Sequence, residues 1–171
     1  MLKGEKIVLG PLMPNDAAPM FQWLNDIELA HLNGPYRPTD GMGFGPWFNG
    51  LGKDLSKAFF AIRTATDLRF VGYVVISNIH AVFRSAELGI VIGAEADRCH
   101  GWGQEALSLA LRFCWNDLNL HRVSLLVFGK NDRAVGAYAK AGFQHEGVLR
   151  EAAFVGGHYV DITVMAALKT Y

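Results

Sequence analysis

The chain has 171 residues, 51% hydrophobic and 19% charged, which is one domain's worth of sequence and enough to bury a core without disulfide staples. Its 16 Lys+Arg balance 16 Asp+Glu, so it lacks the basic excess expected of a nucleic-acid or anionic-membrane binder. Cys99 and Cys114 are too few for a disulfide-rich secreted domain, the segment after Met1 holds no apolar stretch of signal-peptide length, and no membrane-length apolar run follows. A single cytoplasmic domain spanning residues 1–171 is the expectation.

Ile7-Val8-Leu9 reads as a short strand closed by Pro11. Asn15-Asp16 stand where a helix cap belongs, and Ala17, Met20, Phe21 and Leu24 follow at helical spacing through about Asn25. From Asn33 to Gly52 three prolines and six glycines interrupt the chain, interleaved with Tyr36, Phe44, Trp47 and Phe48, so regular structure there is expected to be short. Such an aromatic loop serves either as a lid or substrate wall, or as a plug for the core. Strands are predicted at Ala58–Arg63, Phe70–Ile79 and Ser85–Ile92, joined by connections short enough for antiparallel hairpins. From Trp102 to Leu118 the period turns helical, with Ala106, Leu107, Ala110, Leu111, Cys114 and Leu118 on one apolar face. A strand at Val123–Phe128, a short helix over Asn131–Ala141 stopped by Gly142, and strands at Phe143–Leu149 and Tyr159–Leu168 complete the chain. Gly156-Gly157 supply the positive φ angles of a tight turn between the last two. The order β-α-βββ-α-β-α-ββ makes the fold class α/β with one mixed sheet.

The most informative segment is Arg98-Cys99-His100-Gly101-Trp102-Gly103-Gln104-Glu105-Ala106, which leaves a strand and enters a helix. Backbone amides of such a turn point inward together, and the helix N-terminus adds partial positive charge, a geometry suited to phosphate. Glycines there also permit close packing without any ligand. The segment fits the loose G-x-G-x-x-G/A dinucleotide pattern, but Val123–Phe128 ends without a ribose-binding carboxylate. Gly52-Lys53 is followed by Asp54, which rules out a P-loop, and no metalloprotease, C-x-x-C or G-x-S-x-G motif occurs, so no metal is expected.

Arg98-x-x-Gly101-x-Gly103 resembles the pyrophosphate loop of the GNAT superfamily of acetyl-coenzyme-A-dependent N-acetyltransferases. Asn131-Asp132-Arg133-Ala134-Val135-Gly136-Ala137-Tyr138-Ala139-Lys140-Ala141-Gly142-Phe143 resembles its N-x-x-A-x-x-x-Y-x-K-x-G-F signature. Trp23-Leu24-Asn25-Asp26, Ala86-Glu87-Leu88-Gly89, Glu146-Gly147-Val148-Leu149-Arg150 and Gly157-His158-Tyr159-Val160-Asp161 are similar to segments of the RimJ/RimL-like, ribosomal-protein N-terminal acetyltransferase branch. The match covers essentially the whole chain in the family's order. Cys99-His100 and Gly136 depart from it; Gly136 costs about 1 kcal/mol of helix propensity.

The resemblance implies acetyl-coenzyme A as co-substrate, held by Arg98, Cys99, His100, Gly101, Trp102 and Gly103. It places Ile90, Val91 and Ile92 beside the pantetheine arm, on a strand splayed from Val123–Phe128. Tyr138 lies seven residues after Asn131, two helical turns on, so both face one side. By the resemblance Tyr138 protonates the departing thiolate while Asn131 contacts the pantetheine; Asn131 also suits a helix N-cap. Glu87, a carboxylate in an otherwise apolar strand, is the candidate base, or only a partner for the ammonium or Arg84. Asp161, His158 and His80 are weaker candidates. Cys99 beside His100 does not make a nucleophile, because sequence neighbours rarely achieve that geometry.

The acceptor is a small amine or a peptide N-terminus, expected between the Asn25–Gly52 region and the last hairpin, with Tyr36, Phe44, Trp47 and Tyr159 as candidate walls. Asp26, Glu28 and Asp40 against Arg37 lean toward a cationic amine without specifying a polyamine or amino sugar. The competing readings are a non-catalytic coenzyme-A sensor and a nucleotide-binding module. A homodimer is compatible with the long final strands.

Overall fold

The computed structural model describes residues 1–170. The strands are β1 (Leu2–Lys3), β2 (Ile7–Gly10), β3 (Ala58–Thr64), β4 (Phe70–His80), β5 (Ser85–Ile92), β6 (Arg122–Phe128), β7 (Gln144–Val155) and β8 (His158–Leu168). They form one mixed sheet in the order β1-β2-β3-β4-β5-β6-β8-β7. The helices are α1 (Ala17–Leu24), α2 (Ile27–Asn33), α3 (Gly41–Gly50), α4 (Trp102–Asn116) and α5 (Asp132–Lys140). The α/β class and the central β3-β4-β5-α4-β6-α5-β7-β8 run follow the sequence pattern, while β1, α2 and α3 add to it.

All pairings are antiparallel except β5 with β6. That parallel pairing holds only at Ser85↔Arg122, Ala86↔Val123 and Glu87↔Ser124. Beyond it the strands part, while β6 stays paired to β8 as far as Phe128↔Ile162. The splay implied by the family resemblance is therefore present, and it leaves the Leu88–Ile92 backbone without a partner on the β6 side.

Side-chain alternation assigns the two faces. Ala86 and Leu88 of β5 and Val74 and Ile76 of β4 are buried in the core beneath α4, whose Ala106, Leu107, Ala110, Leu111 and Cys114 form the expected apolar stripe. Each fully buried leucine there contributes about 1.5–3 kcal/mol. Glu87, Gly89 and Val91 point the other way, opposite their cross-strand partners Ser77, Val75 and Tyr73.

Three local expectations are corrected. Asp16 does not cap α1 with its side chain; its carboxylate accepts the Met13 N–H (2.7 Å) and pairs with Arg63 (2.5 Å), both ends largely buried. The Asn33–Gly52 stretch is not limited to short pieces, because α3 runs ten residues despite four glycines and Pro46. Its start is set by Asp40, whose carboxylate accepts the Gly43 N–H (2.7 Å), and Phe44 locks it edge-on against Phe21 of α1 (5.1 Å). Tertiary packing here outweighs weak helix propensity. The final hairpin is also longer than expected, because β7 continues through irregular pairings at His145/Gly147 and Leu149/Ala153 to the Gly156-Gly157 turn, where both φ angles are positive.

Candidate functional site

The opening between β5 and β6 becomes a cleft of about 630 Å³ that passes through the sheet. From the α4/α5 side it is lined by Gly103, Leu107, Ala134, Ala137 and Tyr138; from the α2 side by Leu29, Leu32, Asn33, Tyr73, Val75 and Ser77. Glu87 through Ile92 and Leu125 through Phe128 form its two walls. Of the residues singled out in the sequence, Glu87, Ile90, Val91, Ile92, Arg98, Gly103, Asn131 and Tyr138 line this one space.

The loop at its end is shaped by backbone conformation. Cys99 has φ +67° and Gly101 φ +81°, two left-handed residues within three positions, with Gly101 as the N-terminal cap of α4. A left-handed non-glycine residue costs about 1–2 kcal/mol, and such outliers concentrate at functional loops. The Arg98 guanidinium donates to the Gly93 carbonyl (3.0 Å), and His100 Nδ1–H donates to the Arg98 carbonyl (2.8 Å). His100 stacks on Trp102 (4.8 Å), and Arg69 lies over the Trp102 ring (5.8 Å). Arg69 also makes a two-pronged pair with Asp97 (2.8 Å twice), which holds that carboxyl below the usual range. Cys99, His100, Gly101 and Trp102 complete the loop outside the cleft lining.

Glu105, one turn into α4, was not singled out by the sequence reading. Its carboxylate accepts the backbone N–H groups of Glu5, Lys6 and Ile7 (2.6, 2.9 and 3.0 Å), clamping the β1–β2 turn onto the loop. A Cβ at Gly4 would lie 2.6 Å from that carboxylate, so only glycine allows the approach. The clamp brings the Lys6 ammonium close to Gly101, 3.5 Å from where a side chain would begin.

Tyr138 is half-buried on α5 with its ring edge-on to Phe143 (5.9 Å). Its hydroxyl bonds to no protein group among the described residues, and burial raises its pKa above the usual 10. Asn131 caps α5 by accepting the Ala134 N–H (3.1 Å) while also lining the cleft, so both roles considered for it are compatible. Tyr73, on the opposite face, is pushed up to about 12 by burial. Glu87 stands on that same face, exposed, with Ser77 across from it. Arg133 is the other cation in the cleft besides Arg98.

The candidate wall aromatics lie elsewhere. Phe44 is buried among Phe21, Trp47 and Phe48, which makes it a core plug. Tyr36, Trp47 and Tyr159 line neither this cleft nor the smaller cavity beside it, and Tyr159 packs on Phe154 of its own hairpin. Of the weaker candidates, Asp161 accepts the Glu151 N–H (2.8 Å), where Glu151 has φ +50°, and His80 accepts the Phe83 N–H and stacks on its ring at a hairpin tip. Arg84, the alternative partner for Glu87, instead donates to Asn119 (2.8 Å). Burial pushes the Cys114 thiol up to about 12. Asp26 and Asp40 are spent as the caps of α2 and α3, and with Glu28 they lie outside both cavities.

Several segments behind the branch resemblance turn out to be structural. Trp23 lies against Gly93, where any Cβ would overlap the indole, and packs on Phe70 (4.9 Å). Asn25 holds Thr39 through both its backbone N–H (2.9 Å) and its carbonyl (3.1 Å). Glu146 pairs with Arg122 through both oxygens (2.7 and 2.5 Å).

Comparison with known proteins agrees with this fold. A crystal structure of spermidine N-acetyltransferase from Vibrio cholerae, in complex with CoA and spermine, superposes with a TM-score of 0.88 at 27% identity, covering 95% of each chain. In sequence, spermidine N(1)-acetyltransferase of Vibrio cholerae is 35% identical over 100 residues, 58% of this chain and 57% of that protein. The L-amino acid N-acetyltransferase of Escherichia coli is 33% identical over 89 residues, 49% of this chain and 51% of that one. The alignments thus span little more than half the length of these curated relatives, and their names do not support the ribosomal-protein branch. The acetyltransferase (GNAT) domain model matches residues 6–144, and the chain belongs to that family.

Proposed function

We propose that the protein is an acetyl-coenzyme-A-dependent N-acetyltransferase that acts on a small primary amine. The observation that carries this is the parting of β5 from β6 after Glu87↔Ser124, with Tyr138 on one side of the opening and Glu87 on the other. The residues present fit the coenzyme. Gly103 offers no Cβ where Ile90 and Ile92 meet the loop, the amides of residues 98–103 turn over the N-terminus of a fifteen-residue helix, and Lys6 adds a cation above Gly101. When bound, the coenzyme supplies an activated acetyl thioester.

The unpaired backbone of Leu88–Ile92 supplies N–H donors for the carbonyl oxygen as negative charge develops there. Glu87 takes the proton of the incoming ammonium, directly or through a water. The amine nitrogen then forms its bond to the acetyl carbon and gives up its second proton to water, the carbon–sulfur bond breaks, and the Tyr138 hydroxyl gives its proton to the sulfur. The phenolate recovers a proton from solvent. A hydroxyl with no protein partner suits this role better than a structural one. No helix among the described residues is long and apolar enough to cross a membrane.

A polyamine acceptor is the second reading, carried by the names of the spermidine acetyltransferases among the relatives. Self-association goes with it, since a spermidine N-acetyltransferase from Vibrio cholerae has a dodecameric structure. Calorimetry with acetyl-coenzyme A and thiol release across a panel of amines test the proposal. Coenzyme uptake with turnover that collapses in Tyr138→Phe, at unchanged coenzyme affinity, is the expected result. Uptake without turnover of any amine makes the protein a sensor, and stabilisation by NAD or ATP but not by coenzyme A makes it a nucleotide module.

A further inference from the structure

A second cavity, of about 250 Å³, opens beside the cleft on the face that carries Glu87. The two share Leu29, Asn33, Tyr73 and Val91, so a molecule seated in the smaller one faces the acyl-transfer point through the Tyr73–Val91 strand pair. Its walls are chiefly apolar, drawn from α1, α2 and the chain after them: Trp23, Leu24, Ala30 and Pro35 join Leu29 and Val91.

Two features give this cavity a chemical preference. No carboxylate lines it, and across both cavities Glu87 is the one acidic residue among the lining side chains. A cation, Arg37, does line it, and its guanidinium has no ion-pair or hydrogen-bond partner among the described residues. The Arg37 side chain is exposed at the cavity rim, while its backbone is restrained: Pro35 and Pro38 restrict the chain on either side, and the Asn25 side chain grips Thr39 by both its N–H and its carbonyl. An unpaired cation on a pinned loop, at the edge of an apolar pocket, is the arrangement that selects an anion joined to an apolar body. A polyamine would bring several positive charges against Arg37 with a single carboxylate to receive them.

We propose that this cavity is the acceptor subsite and that its substrate is an apolar α-amino acid, whose carboxylate pairs with Arg37 while its amino group points into the cleft toward Glu87. The proposal rests on the acetyl-transfer reading above and narrows its acceptor. At about 30 Å³ per water, the cavity has room for roughly eight waters, enough for a leucine-sized molecule.

The test measures thiol release from acetyl-coenzyme A by the full chain with leucine, methionine and phenylalanine, with their carboxamides, and with spermidine. Coenzyme uptake is followed by calorimetry in parallel. The free amino acids are expected to exceed their amides and spermidine in kcat/KM by about ten- to hundredfold, the range of a charge-assisted pair. Arg37→Gln is expected to abolish the preference for acid over amide by raising KM, with coenzyme affinity unchanged, and Arg37→Lys to restore part of it. Amides turned over as well as acids, spermidine preferred, no amino acid turned over, or a preference surviving in Arg37→Gln would each overturn the proposal while leaving acetyl transfer standing. Failure to take up acetyl-coenzyme A at all would remove the broader reading instead.

Discussion

The two sides of the sheet opening are built by different means. On the α4/α5 side, proposed above to take the coenzyme, the surface rests mostly on main chain: the amides of residues 98–103, the left-handed turns at Cys99 and Gly101, and the unpaired backbone of β5. On the α1–α3 side it is side chains held by other side chains, with Trp23 against Gly93, Asn25 gripping Thr39 and Phe44 wedged onto Phe21. A surface made of backbone tolerates changes such as Cys99-His100 so long as the turn survives. A surface made of side chains changes its chemistry with each one. In the proposed reading, coenzyme and acceptor are thereby separated by material as well as by position.

The largest effect is expected at Tyr138, the proposed acid. Tyr138→Phe is expected to lower kcat by about a hundredfold or more, within the span of general-acid effects, with coenzyme affinity unchanged by calorimetry. Burial raises the Tyr138 pKa above 10, so the acid form persists through neutral pH and the alkaline fall in kcat belongs above pH 10. A Tyr138-dependent fall centred near neutrality would contradict the assignment.

A stability effect tests the other side. Gly93→Val forces a side chain into the Trp23 indole and is expected to destabilise by about 1–3 kcal/mol, a loss of roughly 3–10 °C in Tm for a chain of this size. Trp23→Ala in the same background should recover part of that loss. Independent, additive losses would mean that the contact does not set the packing.

This division also explains what the sequence made legible. The coenzyme face is encoded locally: a positive-φ glycine at a strand-to-helix turn, an Asn-to-Tyr spacing of two helical turns, and an apolar stripe from Ala106 to Cys114 can all be read within short windows. The acceptor face is encoded by residues far apart in sequence. Nothing in Gly41–Gly50 looks helical until Phe21 gives Phe44 somewhere to pack, and the acidic residues Asp26 and Asp40 look like substrate ligands until the caps they form are seen. Glu105 escaped notice for the same reason, since its partners Glu5, Lys6 and Ile7 lie about a hundred positions away. The one local cue was an acid in the first turn of a helix, a position favoured by the macrodipole alone.

Glu105 supports the backbone-built face by a side chain. Glu105→Ala leaves three N–H groups to water and is expected to cost about 1–2 kcal/mol, read as a lower denaturant midpoint. It should also weaken coenzyme binding several-fold, because the clamp places Lys6 over Gly101. Lys6→Ala, which spares the clamp, should reproduce the binding loss without the stability loss. Equal stability losses in the two variants would show that Lys6 acts through packing.

The smallest effect lies at Arg69, which props the same loop from beneath by pairing with Asp97 and covering Trp102. Half of its side chain is exposed, so solvent screens the pair, and Arg69→Met is expected to cost no more than about 1 kcal/mol near neutral pH. The pH dependence gives this small number a signature. The Asp97 pKa is lowered in the folded state, first by the hydrogen bonds from Arg69, so its contribution is present above the unfolded value of 3.8 and is lost as pH falls through the still lower folded value. Urea midpoints of the two proteins should therefore differ at pH 7 and converge below pH 3.8. A gap that persists undiminished in acid would assign the contribution of Arg69 to its stacking on Trp102, and the loop would then rest on an aromatic contact where an ion pair is now inferred.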